Sequence, residues 1–232
     1  MTSFAVERSG GTLAPPDADL TGDCGLLIPA FDEESRVGAV VQTALEAAIG
    51  PVLVVDDGST DGTANRALAA GAWVLSLPKN RGKGGAVAAG AGALRTDYLL
   101  LVDADLVGLT VEHLISLARP VLSGTVDTTR GICYGSRWQT TAAQHLSPQL
   151  NGQRALRREA LLAIPGLAES RYGLEILITN AARREGWRTL DIPLNGVAQV
   201  MKEEKRGLLA GLRARAGMYR DILIALLRRD TP

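Results

Sequence analysis

The chain has 232 residues, enough for one sizeable core, and its 25 lysines and arginines balance 25 aspartates and glutamates to a formal net charge of zero. Basic residues are spread along most of the chain, with one concentration at the C-terminus, which argues against a broad electrostatic footprint for nucleic acid. Two cysteines, Cys24 and Cys133, without CxxC spacing or neighbouring histidines, suggest neither a disulfide framework nor a zinc site, and no apolar run resembles a signal peptide or approaches a membrane span. A reducing cytoplasm fits this pattern.

Residues 1–22, with Gly10, Gly11, Pro15 and Pro16 among small and polar residues, read as a disordered leader. "GLLIPAF" then reads as a strand. In the following "EESRVGAVVQTALEAAIG", Val37, Val40, Val41, Ala44, Leu45 and Ala48 fall on one helical face. The pattern repeats in "PVLVVDDG" before "DGTANRALAAG", "AWVLSLP" before "GGAVAAGAGAL", and "YLLLVDADL" before "TVEHLISLARPVL". Strands written as continuous apolar runs between helices predict a mostly parallel sheet covered on both faces.

In such sheets ligands bind at the carboxyl ends of the strands. Here those ends carry "PAFDEE", "DDGSTDG" and "DADL", three polar clusters that converge on one rim. Asp103 and Asp105 repel each other at a low-dielectric edge unless a cation lies near them, and Mg²⁺ or Mn²⁺ takes carboxylate oxygens together with substrate phosphates. A D-x-D alone reads equally as a turn that caps the next helix; the strand context and the companion clusters favour the metal. In "DDGSTDG", a carboxylate can accept from the N–H of a pyrimidine base, although a capped turn with no ligand has the same appearance. In "NRGKGGAVAAG", Lys83 stands at a helix start, where glycines permit close approach and the helix dipole favours phosphate. Neither a Walker A spacing nor a G-x-G-x-x-G follows the first strand.

Taken together and in this order, "PAFDEE", "VVDDGSTDGT", "NRGKGGAVAAG" and "LLLVDADL" resemble the nucleotide-sugar half of family-2-type glycosyltransferases of the GT-A fold, in the dolichyl-phosphate mannose synthase-like and glucosyl-3-phosphoglycerate synthase-like branches. "GQRALRREALL" and "YGLEILITNAARREGW" are similar to acceptor-side segments of the second branch. The resemblance implies an α/β, Rossmann-like nucleotide-diphospho-sugar transferase fold. The catalytic domain would span 23–200, with a nucleotide-sugar half to about 106 and an acceptor half from about 107. It further implies that Pro29 and Ala30, with Glu33, hold the nucleoside, that Asp57 and Asp56 read a uracil or guanine edge, and that Ser59 supports that pocket. Lys83 would contact nucleotide or diphosphate, Asp103 would carry ribose and metal, and Asp105 would be a metal ligand and catalytic. Glu33 reads equally as an exposed acid in a first helical turn. Where the family places a metal-assisting histidine, this chain has Gln199.

On the acceptor side, Glu175 is the leading candidate for contacting the sugar or serving as base, with a helix-surface glutamate as the alternative. Arg154 and Arg157, beside Arg158, suit binding of an acceptor's phosphate or carboxylate, though a solvated helix face is the plainer account. Trp138, Tyr172 and Trp187 could stack on a sugar, against a default of core packing. The sequence thus predicts a transferase that moves a sugar from a UDP- or GDP-sugar to a hydroxyl or phosphate acceptor. The competing readings are a sugar-1-phosphate nucleotidyltransferase, which would need a Gly- and Arg-rich loop where "PAFDEESR" stands, and a non-catalytic nucleotide-sugar-binding module. Residues 201–232 read as a cationic amphipathic helix that docks on the protein, forms a homodimer, or touches the inner face of a membrane.

Overall fold

The computed structural model describes residues 6–7, 20–134, 152–171 and 173–199. The helix expected over 201–232, together with Trp138 and Tyr172, lies outside them. The first half alternates as the sequence predicts: β2 (Thr21–Ala30), α1 (Glu34–Glu46), β3 (Val52–Asp56), α2 (Thr63–Ala69), β4 (Trp73–Ser76), α3 (Lys83–Ala93), β5 (Arg95–Leu101) and, after a two-residue β6 (Leu106–Val107), α4 (Val111–Leu122). β2 pairs in parallel with both β3 and β5, and β3 in parallel with β4, so the four apolar runs lie side by side. One apolar cluster forms under α1, α2 and α4, and another under α3 and the helices of the second half. Such double cover explains why these strands need no polar face.

Two expectations are corrected at the start of the chain. Val6–Glu7 form an edge strand, β1, antiparallel to β4, and β2 begins at Thr21, so parts of the supposed leader belong to the sheet. Val6 and Leu20 are buried against the apolar cluster, which is what recruits them. α1 stops at Glu46, and Ala48 turns left-handed at φ 49°, which leaves Leu45 and Ala48 exposed while Ala47 packs inward.

The second half adds β7 (Thr128–Tyr134), β8 (Arg154–Arg157), α5 (Arg158–Leu162), α6 (Leu174–Arg184), β9 (Thr189–Asn195) and β10 (Ala198–Gln199). β8 joins β5 antiparallel and β7 joins β9 parallel, giving an eight-stranded mixed sheet in the order β1-β4-β3-β2-β5-β8-β7-β9. β10 pairs with β6 in a separate ribbon, with Gln199 opposite Leu106, the residue after Asp105. Strand reversal at β5/β8 sets the last residues of β5 against the first of β8, and α6 packs over that junction. The two halves therefore share one rim. Among the described residues no helix is long and apolar enough to cross a membrane.

Candidate active site

The rim at the ends of β2 and β3 is a set of turns fastened to main-chain amides. After β3, Asp56 accepts from Ser59 N–H (3.1 Å), and Ser59 Oγ accepts from Asp32 N–H (2.9 Å). Asp32 is left-handed, at φ 54°, a conformation that costs a non-glycine residue roughly 1 kcal/mol or more. Its carboxylate recovers part of that cost by accepting from Thr60 N–H (2.9 Å). Glu33 is 5% exposed, so it is not the solvated acid of one sequence reading; its N–H donates to Thr63 Oγ1 (2.8 Å). Asp57 accepts from Arg81 N–H (2.7 Å) and Gly82 N–H (2.8 Å), binding the turn after β3 to the turn before α3. Burial raises the pKa of Asp57, and those two amides with the Arg171 guanidinium oppose the rise.

Pro29, Ala30, Phe31, Asp57, Asn80, Gly82, Lys83, Ala86, Arg171 and Glu175 line a cleft of about 650 Å³, counted to its open mouth, at the carboxyl ends of β2 and β3. The sequence puts the Lys83 cation at a helix start, where glycines and the helix dipole would also favour phosphate. The main chain there is occupied: the N–H groups of Lys83 and Gly84 are taken by the carbonyls of Arg171 (3.3 Å) and Ser170 (2.9 Å). A Cβ on Gly84 would collide with Ser170 Oγ and the carbonyls of Leu167 and Ser170, so this glycine admits the segment 167–171 rather than a ligand.

What Lys83 presents is its side chain. Nζ lies 2.6 Å from Asp103 Oδ1 and 2.5 Å from Glu175 Oε1, an ammonium bridging a carboxylate of each half. Burial alone would lower its pKa, but the charges of Asp103 and Glu175 outweigh burial and raise it, so Lys83 is a fixed cation. The second oxygen of Asp103 accepts from Gln153 Nε2 (3.0 Å), and Gln153 Oε1 is buried with no hydrogen-bond partner among the described residues. Gly152 lies directly against the pair: a Cβ there would strike Lys83 Nζ and both Asp103 oxygens. Asp105 follows Asp103 by two residues, half-buried, beside the β6/β10 ribbon that places the Gln199 main chain next to it.

Two sequence-predicted residues are not brought to this rim. Arg154 pairs with Leu101 in the sheet but is 2% exposed, its Nη2 donating to Thr179 Oγ1 (3.1 Å) beneath α6. Thr179 in turn donates to the Glu175 carbonyl (2.8 Å), so Arg154 braces the helix that carries Glu175. Arg157 lies three residues along β8, opposite Tyr98, with its guanidinium 5.0 Å from that ring's centroid. Arg158 is spent on the carbonyls of Thr96 and Ala91. Strand β8 runs away from the rim, which is why arginines adjacent in sequence are not adjacent at the site. Trp187 packs against the apolar cluster. Cys133, which borders Asp103, has its thiol pushed up to about 11 by burial and by that charge, so it is no nucleophile at neutral pH. Sequence reasoning missed Gly152, Gln153 and Arg171; an arginine four residues before Glu175 was the one visible trace of the last.

An open cleft at the switch of a mostly parallel sheet, with a paired carboxylate motif at its edge, is the place where an α/β fold of this class binds its ligand. The model of glycosyl transferase family 2 matches residues 26–171, and the chain belongs to that family. Glucosyl-3-phosphoglycerate synthase of Mycolicibacterium paratuberculosis is 31% identical, the match covering 96% of this chain and 77% of that enzyme. Dolichyl-phosphate beta-glucosyltransferase of Mus musculus is 28% identical over 78% of this chain and 64% of its own length. The crystal structure of glucosyl-3-phosphoglycerate synthase from Mycobacterium tuberculosis with Mn²⁺, uridine diphosphate and phosphoglyceric acid superposes with a TM-score of 0.74 at 26% identity, covering 90% of this chain and 79% of that one. The same mycobacterial enzyme has been crystallised with Mg²⁺ and UDP, and with Mn²⁺, UDP-glucose and phosphoglyceric acid. The fold is thus GT-A, and the protein is a glycosyltransferase.

Proposed function

We propose that the protein transfers glucose from UDP-glucose to a small phosphate-bearing hydroxy acid of the phosphoglycerate type, with Mn²⁺ or Mg²⁺. The observation that carries the reading is the Lys83 bridge. One cation joins a carboxylate of the nucleotide half to a carboxylate of the acceptor half, in a cleft that Asp57 also lines. Both kinds of relative, by their names, join glucose to a phosphate-bearing molecule, and the mycobacterial enzyme has been crystallised with UDP-glucose and phosphoglyceric acid.

Breaking the bond between the anomeric carbon and the diphosphate leaves negative charge on the departing oxygen. Lys83, already cationic and anchored at the base of α3, is the side chain to receive it. Asp103 and Asp105 are hard oxygen donors that fit a divalent ion shared with the diphosphate, since Mg²⁺ and Mn²⁺ are held by one or two carboxylates plus substrate phosphates. Bound there, the ion would supply charge neutralisation of the leaving diphosphate. When Lys83 turns to the phosphates, Glu175 is released on the acceptor side, free to orient the attacking hydroxyl or to accept its proton. Pro29 and Ala30 form the floor beneath the nucleoside and Asp57 reads its base, while Asp56, Ser59 and Glu33 hold the turns in place. Both cysteines are free thiols, in keeping with a cytoplasmic setting.

The test is a panel of UDP- and GDP-sugars incubated with 3-phosphoglycerate and Mn²⁺. Glucosyl transfer from UDP-glucose that stops on chelation of the metal supports the reading. Binding of UDP-glucose without turnover on any acceptor would favour a binding module, and pyrophosphate release from UTP with glucose 1-phosphate a nucleotidyltransferase.

A further inference from the structure

Arg171 belongs to none of the sequence motifs, yet the fold fixes it at the mouth of the donor cleft. Its main chain is held at two points, by its own carbonyl on Lys83 N–H and by that of Ser170 on Gly84 N–H. Gly82, left-handed at φ 83°, faces it so closely that a Cβ there would lie 2.8 Å from Arg171 Cα. The guanidinium is exposed, and its Nη2 donates to Asn80 Oδ1 (2.9 Å). Its other N–H groups have no hydrogen-bond partner among the described residues. Because Oδ1 of Asn80 accepts from Arg171, the Asn80 amide is oriented with its donating Nδ2 end left over. Both residues line the cleft with Asp57, and the Arg171 charge acts on the Asp57 carboxylate.

This places a forked set of donors beside a carboxylate acceptor. We propose that Arg171, with the Asn80 amide it orients, reads the carbonyl oxygens of the donor's base next to Asp57, and so selects bases presenting an N–H flanked by C=O. The inference rests on the reading of the cleft as the donor site. Uracil offers N3–H between O2 and O4, and guanine offers N1–H beside O6. Cytosine and adenine turn a ring-nitrogen lone pair toward the carboxylate and an amino group toward the guanidinium, so both contacts become repulsive. A site whose polar groups are left unpaired by the wrong ligand discriminates strongly.

Equilibrium binding of UMP, UDP and CDP to the full chain tests this, with Arg171→Met as the variant. Met keeps the side-chain stem that packs on Gly82 and removes the fork. UMP and UDP should weaken by the same factor, roughly 10- to 100-fold, as expected for a lost charge-assisted hydrogen bond, and the preference for UDP over CDP should shrink. Arg171→Lys, which retains stem and charge, should show the same equal loss to a smaller degree, and covers the case in which the Met variant fails to fold. Unchanged UDP affinity in a folded variant overturns the proposal, as does a loss confined to UDP, which would put Arg171 on the diphosphate. Wild-type protein that binds neither UMP nor UDP overturns the donor-site reading itself, whereas equal tight binding by wild type and variant sinks the Arg171 role alone.

Discussion

In the half of the cleft that ends at Asp105, side chains bond mainly to main-chain amides: Asp57 to Arg81 and Gly82, Asp56 to Ser59, Asp32 to Thr60. In the half that begins at Gly152, side chains bond to side chains: Lys83 to Glu175, Gln153 to Asp103, Arg154 to Thr179. The first arrangement ties neighbouring turns of one half to each other through their main chains, which makes it stiff. The second spans the molecule, joining residues as far apart in sequence as Lys83 and Glu175. Preformed turns suit recognition of an invariant nucleotide, whereas a bridge of paired charges can exchange partners when substrate arrives.

The strongest way to break this contrast is to remove its hinge. Asp103→Ala should lower kcat/KM for metal-dependent transfer by about a thousandfold or more, measured with UDP-glucose. A loss of less than tenfold would mean that Asp103 serves only the turn. Gly152→Ala separates geometry from stability. Its Cβ meets the ends of flexible side chains, so the melting temperature should move by only a few degrees while transfer falls about a hundredfold, as Lys83 and Asp103 are pushed out of line. Gly84→Ala does the reverse. Its Cβ meets main-chain carbonyls of the segment 167–171, so denaturant melts should show a loss of about 3 kcal/mol, larger than any effect of an alanine at exposed Gly92, where nothing lies within 4 Å.

The smallest effect belongs to the sheet's far edge. Hydrogen bonds from Arg188 hold Asp127 down to about 2, below its ordinary value of 3.8. A depressed carboxylate contributes stability above its unfolded-state value, and the contribution is lost as pH falls through about 2. The pair is exposed, so Asp127→Asn should shift the melting temperature at pH 7 by no more than about a degree, and the difference from wild type should vanish in strong acid.

The same contrast decides what could be read from the sequence. The first half was legible because β3 and the inner parts of β2 and β5 are apolar runs, and because polar residues at strand ends must lie on the rim. The acceptor half hides its logic. Thr128 and Thr129 are fully buried and satisfied by the carbonyls of Ala155 and Leu117, and Arg154 is buried under α6, so polar residues stand where a periodicity argument expects core. Arg157 was misplaced because strand direction, which sequence does not carry, takes β8 away from the rim. Glycines misled in a different way. Those of "GKGG" suggested phosphate, but Gly84 is small for the sake of a neighbouring main chain, and Gly90 for Leu27 and Val55 beneath it. Close packing and close ligand approach ask for the same residue.

On the proposed function, Lys83 of the free protein occupies the place of positive charge between Asp103 and Glu175, and yields it when nucleotide and metal bind. Mn²⁺ binding followed by electron paramagnetic resonance, with and without UDP, tests this on wild type and Lys83→Ala. Wild type should bind Mn²⁺ weakly alone and at least tenfold more tightly with UDP, and Lys83→Ala should bind Mn²⁺ alone more tightly than wild type does. Wild-type affinity for Mn²⁺ that is indifferent to UDP, together with no gain in the variant, would contradict it.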